Sequence, residues 1–196
     1  MLNWASFMTY AVVTAVTPGP NNIASMSNGN RKGFRKSLPF NFGILAGFAV
    51  VMIVCTIFCQ ALSALIPKIK LPMMIAGALY MLYLAWETYR SGTVQEGEGK
   101  ENGGGFKDGL LLQFVNVKIY IYGILSMEAY ILPYYSGNMP ALLFFALLLA
   151  IIGFIFTLVW TAFGAAFRKI FSRHARTVNT ILALLLVYCA VSLFIS

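Results

Sequence analysis

The sequence predicts an all-α polytopic membrane protein with six transmembrane helices, set out as two halves of three in a probable 3+3 inverted repeat, the first helix broken at Pro18-Gly19-Pro20. Three observations carry this. The 196-residue chain is 60% hydrophobic and only 10% charged, with a mean hydropathy of +0.80, a composition that no soluble domain needs. Residues 1–30, 37–67, 129–167 and 177–196 hold no Asp, Glu, Lys or Arg, and each reaches the ~20 residues needed to cross a hydrocarbon core. Lys and Arg gather between the apolar runs in a strongly alternating pattern, as follows below.

The apolar runs place the spans at about 2–26, 38–66, 70–90, 108–132, 140–166 and 176–195. The first lacks the basic start and small-residue cleavage site of a signal peptide, so it is expected to be a retained helix. It is unusually polar, carrying Asn3, Ser6, Thr9, Thr14, Thr17, Asn21, Asn22 and Ser25, which suits a helix lining an aqueous path better than one facing lipid. The second span contains Gly43-Ile44-Leu45-Ala46-Gly47, and the fifth contains Gly153 and Ala162-Phe163-Gly164-Ala165-Ala166. Small residues at such spacing let neighbouring helices approach closely.

Counted loop by loop, Lys and Arg number four (Arg31, Lys32, Arg35, Lys36), two (Lys68, Lys70), three (Arg90, Lys100, Lys107), none, and four (Arg168, Lys169, Arg173, Arg176). Alternate loops therefore hold eleven against two, and the positive-inside rule puts the eleven in the cytoplasm and both termini in the periplasm. The Gly- and Glu-rich segment 92–105 reads as a flexible cytoplasmic linker. It joins halves 1–91 and 106–196 of a single domain, 1–196, and an odd number of spans in each half gives the halves opposite orientation. The net charge of +8 is thus spent on orientation, and no nucleic-acid partner is expected. Cys55, Cys59 and Cys189 lie in apolar runs without a metal-type or disulfide pattern, so they are expected to be buried small hydrophobes. No cofactor motif is present. A homo-oligomer is compatible with the sequence and not specified by it.

Two features carry chemistry. Each interior Pro removes a backbone donor and costs roughly 3 kcal/mol in a helix, and Gly adds about 1 more. In hydrocarbon the run Thr17-Pro18-Gly19-Pro20-Asn21-Asn22 is tolerable only where the freed backbone faces protein or a water-filled cavity. Pro20 suits the first turn of a new helix, whose free N–H groups from Asn21 and Asn22 onward form a partial positive charge and an anion site. A simple proline kink between packed helices is the alternative. The second feature is Lys118, the one charge well inside a span, at a cost of roughly 2.5–3.5 kcal/mol on insertion scales. Ten residues at ~1.5 Å each from Asp108 put it about 15 Å deep, near the midplane, and Asn21 and Asn22 reach a similar depth counted from Arg31. Lys118 and the helix start at Asn21 and Asn22 would then hold a substrate carboxylate between the halves. Alternatively, Lys118 pairs with backbone carbonyls to support packing. Asn116 and Gln113 stand close enough to donate from behind.

Glu87 and Arg90 read as a surface ion pair at a helix end, and Glu128 lies near the outer end of span four. His174 stands alone in the basic loop. With no HExxH, Ser/His/Asp set or carboxylate pair in the spans, nothing points to an enzyme.

The Pro-Gly-Pro run, Asn28-Gly29 with Gly33-Phe34-Arg35, Gln113-Phe114-Val115-Asn116-Val117-Lys118 and the ending Leu184-Leu185-Leu186-Val187-Tyr188-Cys189-Ala190-Val191 resemble the LysE/RhtB family of amino-acid exporters along essentially the whole chain. The form Gln-Phe-Val-Asn-Val-Lys, where the family usually has Asn-Pro-Lys, is similar to its cysteine/O-acetylserine branch. Many relatives carry an Asp after the glycine pair of span two, whereas this chain has Phe48 after Gly47. The resemblance implies six spans, efflux driven by the proton motive force, the inner membrane of a bacterium, and small neutral amino acids as substrates, with L-cysteine and O-acetylserine foremost. It also implies a substrate site at Pro18, Gly19, Pro20, Asn21, Asn22, Asn116 and Lys118. Export of homoserine or threonine is the nearest alternative. A non-transporting scaffold would need the packing glycines but neither the broken helix nor the midplane Lys.

Overall fold

The computed structural model of the protein describes residues 2–90, 104–170 and 175–195, and among these it is helical without a strand. Helix α1 (Trp4–Val16) starts at Asn3, whose side chain accepts from the Ser6 N–H at 3.1 Å. Extended backbone at Thr17 and Gly19 separates it from α2 (Pro20–Lys32), so the expected break lies where the two prolines stand. Gly33, at φ 78°, then turns the chain into α3 (Phe34–Ile57), a conformation suited to glycine. Next come α4 (Cys59–Arg90) and, after the undescribed segment, α5 (Phe106–Val115) and α6 (Val117–Leu125). A π-helical turn (Ser126–Ile131) leads to the short α7 (Leu132–Tyr135), followed by α8 (Met139–Ile170) and α9 (Ala175–Ile195). The linker expected at 92–105 lies outside the described residues but for Gly104 and Gly105, as does His174.

Helices α3 and α8 are each long and apolar enough to cross a membrane, and α5 with α6 and α7 has the length and composition of a third if the bent pair is counted as one span. Two expectations are corrected. The fourth span does not run unbroken over 108–132: it bends by 64° at Asn116. The Asn116 backbone is extended there, and its Oδ1 accepts from the Lys118 N–H at 3.2 Å. An Asn side chain offers the backbone this alternative to helical pairing, so it ends one helix and caps the next. The boundary between the second and third helices also falls at Phe58 rather than near 67–69, which places Lys68 and Lys70 within α4 and not in a loop.

Glycines set the closest approaches. A Cβ at Gly29 of α2 would collide with the Thr161 carbonyl of α8, and one at Gly164 of α8 would collide with the Met26 carbonyl of α2. The same arrangement joins α3 and α5, where Gly43 faces the Phe106 carbonyl and Gly109 faces the Phe40 carbonyl. These are the small-residue contacts expected of Gly43 and Gly164, in which bare backbones touch. Helix α4 lies along α9, and α3 along α8. One apolar core gathers Phe7, Met52, Met127, Phe145 and Leu149 from α1, α3, the π turn and α8. A second gathers Ile23, Phe40, Ile44, Met81 and Leu186 from α2, α3, α4 and α9. Cys55, Cys59 and Cys189 are buried free thiols.

Helix α2 is polar yet buried, and its side chains are tied to several neighbours. Ser25 donates to Asn41 Oδ1 at 3.0 Å, and Asn41 in turn donates to Thr161 at 2.9 Å. Ser27 pairs with Thr88, Asn28 donates to the Gly104 carbonyl, and Asn30 donates to Asn179.

Because the atom facing Gly29 is backbone and cannot swing aside, Gly29→Ala is expected to destabilise the protein by about 1–3 kcal/mol. Gly105→Ala, whose Cβ would meet only the Asp108 carboxylate at 3.8 Å, should cost ~0.5 kcal/mol or less. Thermal unfolding of the purified protein in detergent compares them; equal melting temperatures would contradict the α2–α8 backbone contact.

Candidate functional site

The two helix breaks face each other. Asn21 on α2 and Gln113 on α5 exchange side-chain amide hydrogen bonds at 2.8 and 3.1 Å, and Asn116 Nδ2 donates to Asn21 Oδ1 at 3.0 Å. This three-amide cluster locks the start of α2 to the junction of α5 and α6. Beside it lies a cleft lined by Thr14, Ala15, Gly19, Pro20, Asn21, Asn22, Phe48, Asn116, Lys118, Ile119, Tyr122, Gly153 and Thr157, enclosing about 390 Å³ with its open mouth included.

The break at Thr17–Gly19 frees backbone groups of both signs, and they are treated differently. On the carbonyl side, Val13 O accepts from the Thr17 N–H and Thr14 O accepts from the Thr17 hydroxyl. Ala15 O accepts from Asn22 Nδ2 at 2.8 Å, Val16 O from Trp160 Nε1 at 3.2 Å, and Thr17 O from both Asn22 Nδ2 and Lys118 Nζ at 2.9 and 3.1 Å. Every carbonyl from Val13 to Thr17 thus has a donor. On the N–H side, α2 begins with Gly19 as its N-cap, Pro20 just inside it, and no side-chain cap. The first bond across the new turn is from the Ile23 N–H to the Gly19 carbonyl, so the N–H groups of Asn21 and Asn22 have no intrahelical acceptor. The positive end of α2 faces the cleft while the negative end of α1 is fully occupied.

Lys118 reaches this place from α6. Its Nζ donates to the Thr17 hydroxyl at 3.0 Å as well as to the Thr17 carbonyl. A Cβ at Gly19 would stand 3.0 Å from Nζ and 3.1 Å from Cδ, so the absence of a side chain there lets the ammonium settle at the break. An ammonium has three donors and no acceptor; Thr17 takes two. No acidic residue lines the cleft, which therefore carries positive charge. Thr14 and Thr157 supply hydroxyls, and Phe48 and Tyr122, with ring centroids 5.9 Å apart, supply aromatic surface.

Of the residues expected to form a site, Gly19, Pro20, Asn21, Asn22, Asn116 and Lys118 come together in the cleft; Pro18 is exposed outside it and acts on the backbone alone. Gln113 supports Asn21 from behind, as expected. Lys118 pairs with a backbone carbonyl, as the packing alternative expects, and it also lines the cleft. Thr14, Phe48, Ile119, Tyr122, Gly153 and Thr157 were not singled out as site residues by the sequence. Nothing in an apolar run separates a lining Tyr or Gly from a packing one, although Thr14 belongs to the polar stripe noted in the first span. Asp108, one of the few acids near the spans, accepts from the Gly105 N–H at 2.9 Å and caps α5.

Residues 12–196 match the family described as LysE type translocator. The chain is 39% identical over 190 residues, 97% of its length and 96% of the relative's, to the cysteine/O-acetylserine efflux protein of Salmonella typhimurium (strain LT2). It is 37% identical over 191 residues, with the same coverage, to the cysteine/O-acetylserine efflux protein of Escherichia coli (strain K12). No solved structure matches it. An all-helical membrane chain with this near-complete match belongs to the LysE type translocator family.

Proposed function

We propose that the protein is a secondary exporter of small neutral amino acids, L-cysteine and O-acetylserine first among them, across the bacterial inner membrane, driven by the proton motive force. The observation that carries the reading is the asymmetry of the first break: occupied carbonyls, unoccupied N–H groups and an ammonium with a donor to spare, in a cleft without an acid. Such a site takes the carboxylate of an amino acid, the helix N-terminus and Lys118 sharing its charge. The ammonium group of the substrate then meets the hydroxyls of Thr14 and Thr157 and the faces of Phe48 and Tyr122. The choice of substrate is supported by the relatives, cysteine/O-acetylserine efflux proteins that match 97% of this chain.

Six spans in a 3+3 inverted repeat are part of the same reading. In support, α3 on α8 and α4 on α9 pair helices that occupy the same place in the two halves. Each half also opens with a broken helix. The same reading has both termini in the periplasm and segments 27–36 and 91–107 in the cytoplasm, and the excess of Lys and Arg in alternate loops supports it.

Cells loaded with a panel of amino acids should export cysteine and O-acetylserine ahead of threonine and homoserine, and an uncoupler should abolish uphill efflux while sparing downhill exchange. Lys118→Met, which keeps the apolar stem, should lower affinity about tenfold or more, the worth of one charge-assisted hydrogen bond. Normal export by a well-expressed Met variant would sink the carboxylate role, and uphill export under the uncoupler would reject the coupling.

Replacing Pro18, Gly19 and Pro20 together by Ala favours a continuous helix by roughly 3 kcal/mol per proline. Healing consumes the Asn21 and Asn22 N–H groups, so binding should be lost even in a variant that inserts and melts as the parent does. Retained transport would move the carboxylate site elsewhere.

Single cysteines introduced in 27–36 or 91–107, in a background whose own thiols are buried, should resist membrane-impermeant thiol reagents in intact cells. Labelling from outside would reverse the orientation.

A further inference from the structure

We infer that Phe48, seated on Gly153, sets the size of the substrate side chain that this cleft admits and is its specificity-determining residue. The inference rests on reading the cleft as the amino-acid site, and it adds which part of that site measures the substrate.

Phe48 lines the cleft yet is only 3% exposed, and its ring occupies the space beside Gly153 of α8 that a side chain there would fill. A Cβ at Gly153 would stand 2.8 Å from the ring's Cδ1 and collide outright with Cε1. The ring can lie back on α8 only because residue 153 has no side chain. Tyr122 flanks it at 5.9 Å between centroids and a 36° tilt, so the ring is held between two elements with the cleft on its remaining side.

The other lining side chains are poorly placed to gauge a substrate. Asn22, Asn116 and Lys118 are committed to backbone and amide partners at the two breaks. The Tyr122 hydroxyl reaches the Ala11 carbonyl at 3.5 Å, and the Thr157 hydroxyl donates to the Phe154 carbonyl at 2.8 Å. Phe48 is the largest lining side chain held by packing alone, so its volume translates directly into room for the ligand. Close packing leaves little slack around such a ring, and one methylene in a snug apolar pocket is worth about 10- to 200-fold in discrimination. The ligand class that fits is an amino acid with a short, uncharged side chain.

The test measures competitive binding of alanine, cysteine, O-acetylserine, threonine, leucine and phenylalanine to the purified full chain. It compares the parent with Phe48→Leu, Phe48→Ala, Gly153→Ala and the double variant Gly153→Ala with Phe48→Leu. The readout is the ratio of affinities within each variant, which does not depend on the fraction folded. Phe48→Ala should raise leucine relative to cysteine by roughly tenfold or more. Gly153→Ala, which pushes the ring off α8, should lower O-acetylserine relative to cysteine, and the smaller side chain in the double variant should return that ratio toward the parent's. Unchanged ratios in all variants, with binding still dependent on Lys118, would overturn the role of Phe48 alone. Absence of amino-acid binding by the parent, or parental affinity in Lys118→Met, would instead overturn the reading of the cleft on which it rests.

Discussion

In a hydrocarbon environment every broken helix must account for its freed carbonyls, and the way this chain does so governs the rest of its architecture. Five consecutive carbonyls at the end of α1 find donors: Thr17 serves the first two, and the other three are served by Asn22 on α2, Lys118 on α6 and Trp160 on α8. Each of the latter donors fixes a helix. Asn22 bends back across the break, Trp160 draws α8 toward α1, and Lys118 brings α6 to the same point. An unpartnered carbonyl at this depth would cost several kcal/mol, so the break can exist only with these helices in place. The charge asymmetry of the cleft is a by-product of that requirement, since satisfying the carbonyls leaves the opposite end of the break unfilled.

The second break performs a complementary task. Asn116 spends its Oδ1 on the Lys118 N–H and its Nδ2 on Asn21, so one side chain both starts α6 and pins it to α2. By ending α5 there, it directs Lys118 across to Thr17. A straight helix over the same residues would carry the ammonium along a different line. Gln113 completes the amide cluster, and its own Nε2 also donates to the Gly109 carbonyl, which holds it in place. The site is thus built from short helix ends rather than from long spans, and its geometry is set by amides that have few alternative partners in an apolar interior.

What was legible in the sequence follows from what leaves a local signature. The first break announced itself because Pro lacks an N–H, and Lys118 stood out as the one charge well inside an apolar run. The glycine contacts at Gly43 and Gly164 showed as small-residue spacing. The second break was hidden because Val117, an ordinary strand or helix residue, occupies the first position of α6, where proline would have marked it. Asn116 acts through its side chain, and an Asn in an apolar run reads equally as a buried donor. The helix boundary at Phe58 was missed for a related reason: Pro67 and Lys68 read as a loop, whereas both lie within α4. The aromatic part of the cleft, Phe48 against Gly153, depends on two helices meeting and has no trace in either segment alone.

Helix α2 has a consequence for how the protein is made. Its sequence, from Pro20 to Lys32, is too polar to enter lipid by itself, and the groups that satisfy it are synthesised later: Asn41, Thr88, Gly104, Thr161 and finally Asn179. Asn30 waits 149 residues for its partner, roughly 7–30 s of elongation at typical ribosomal speeds. The polar groups of α2 are therefore satisfied in stages, and its packing is completed only when the last helix of the chain arrives.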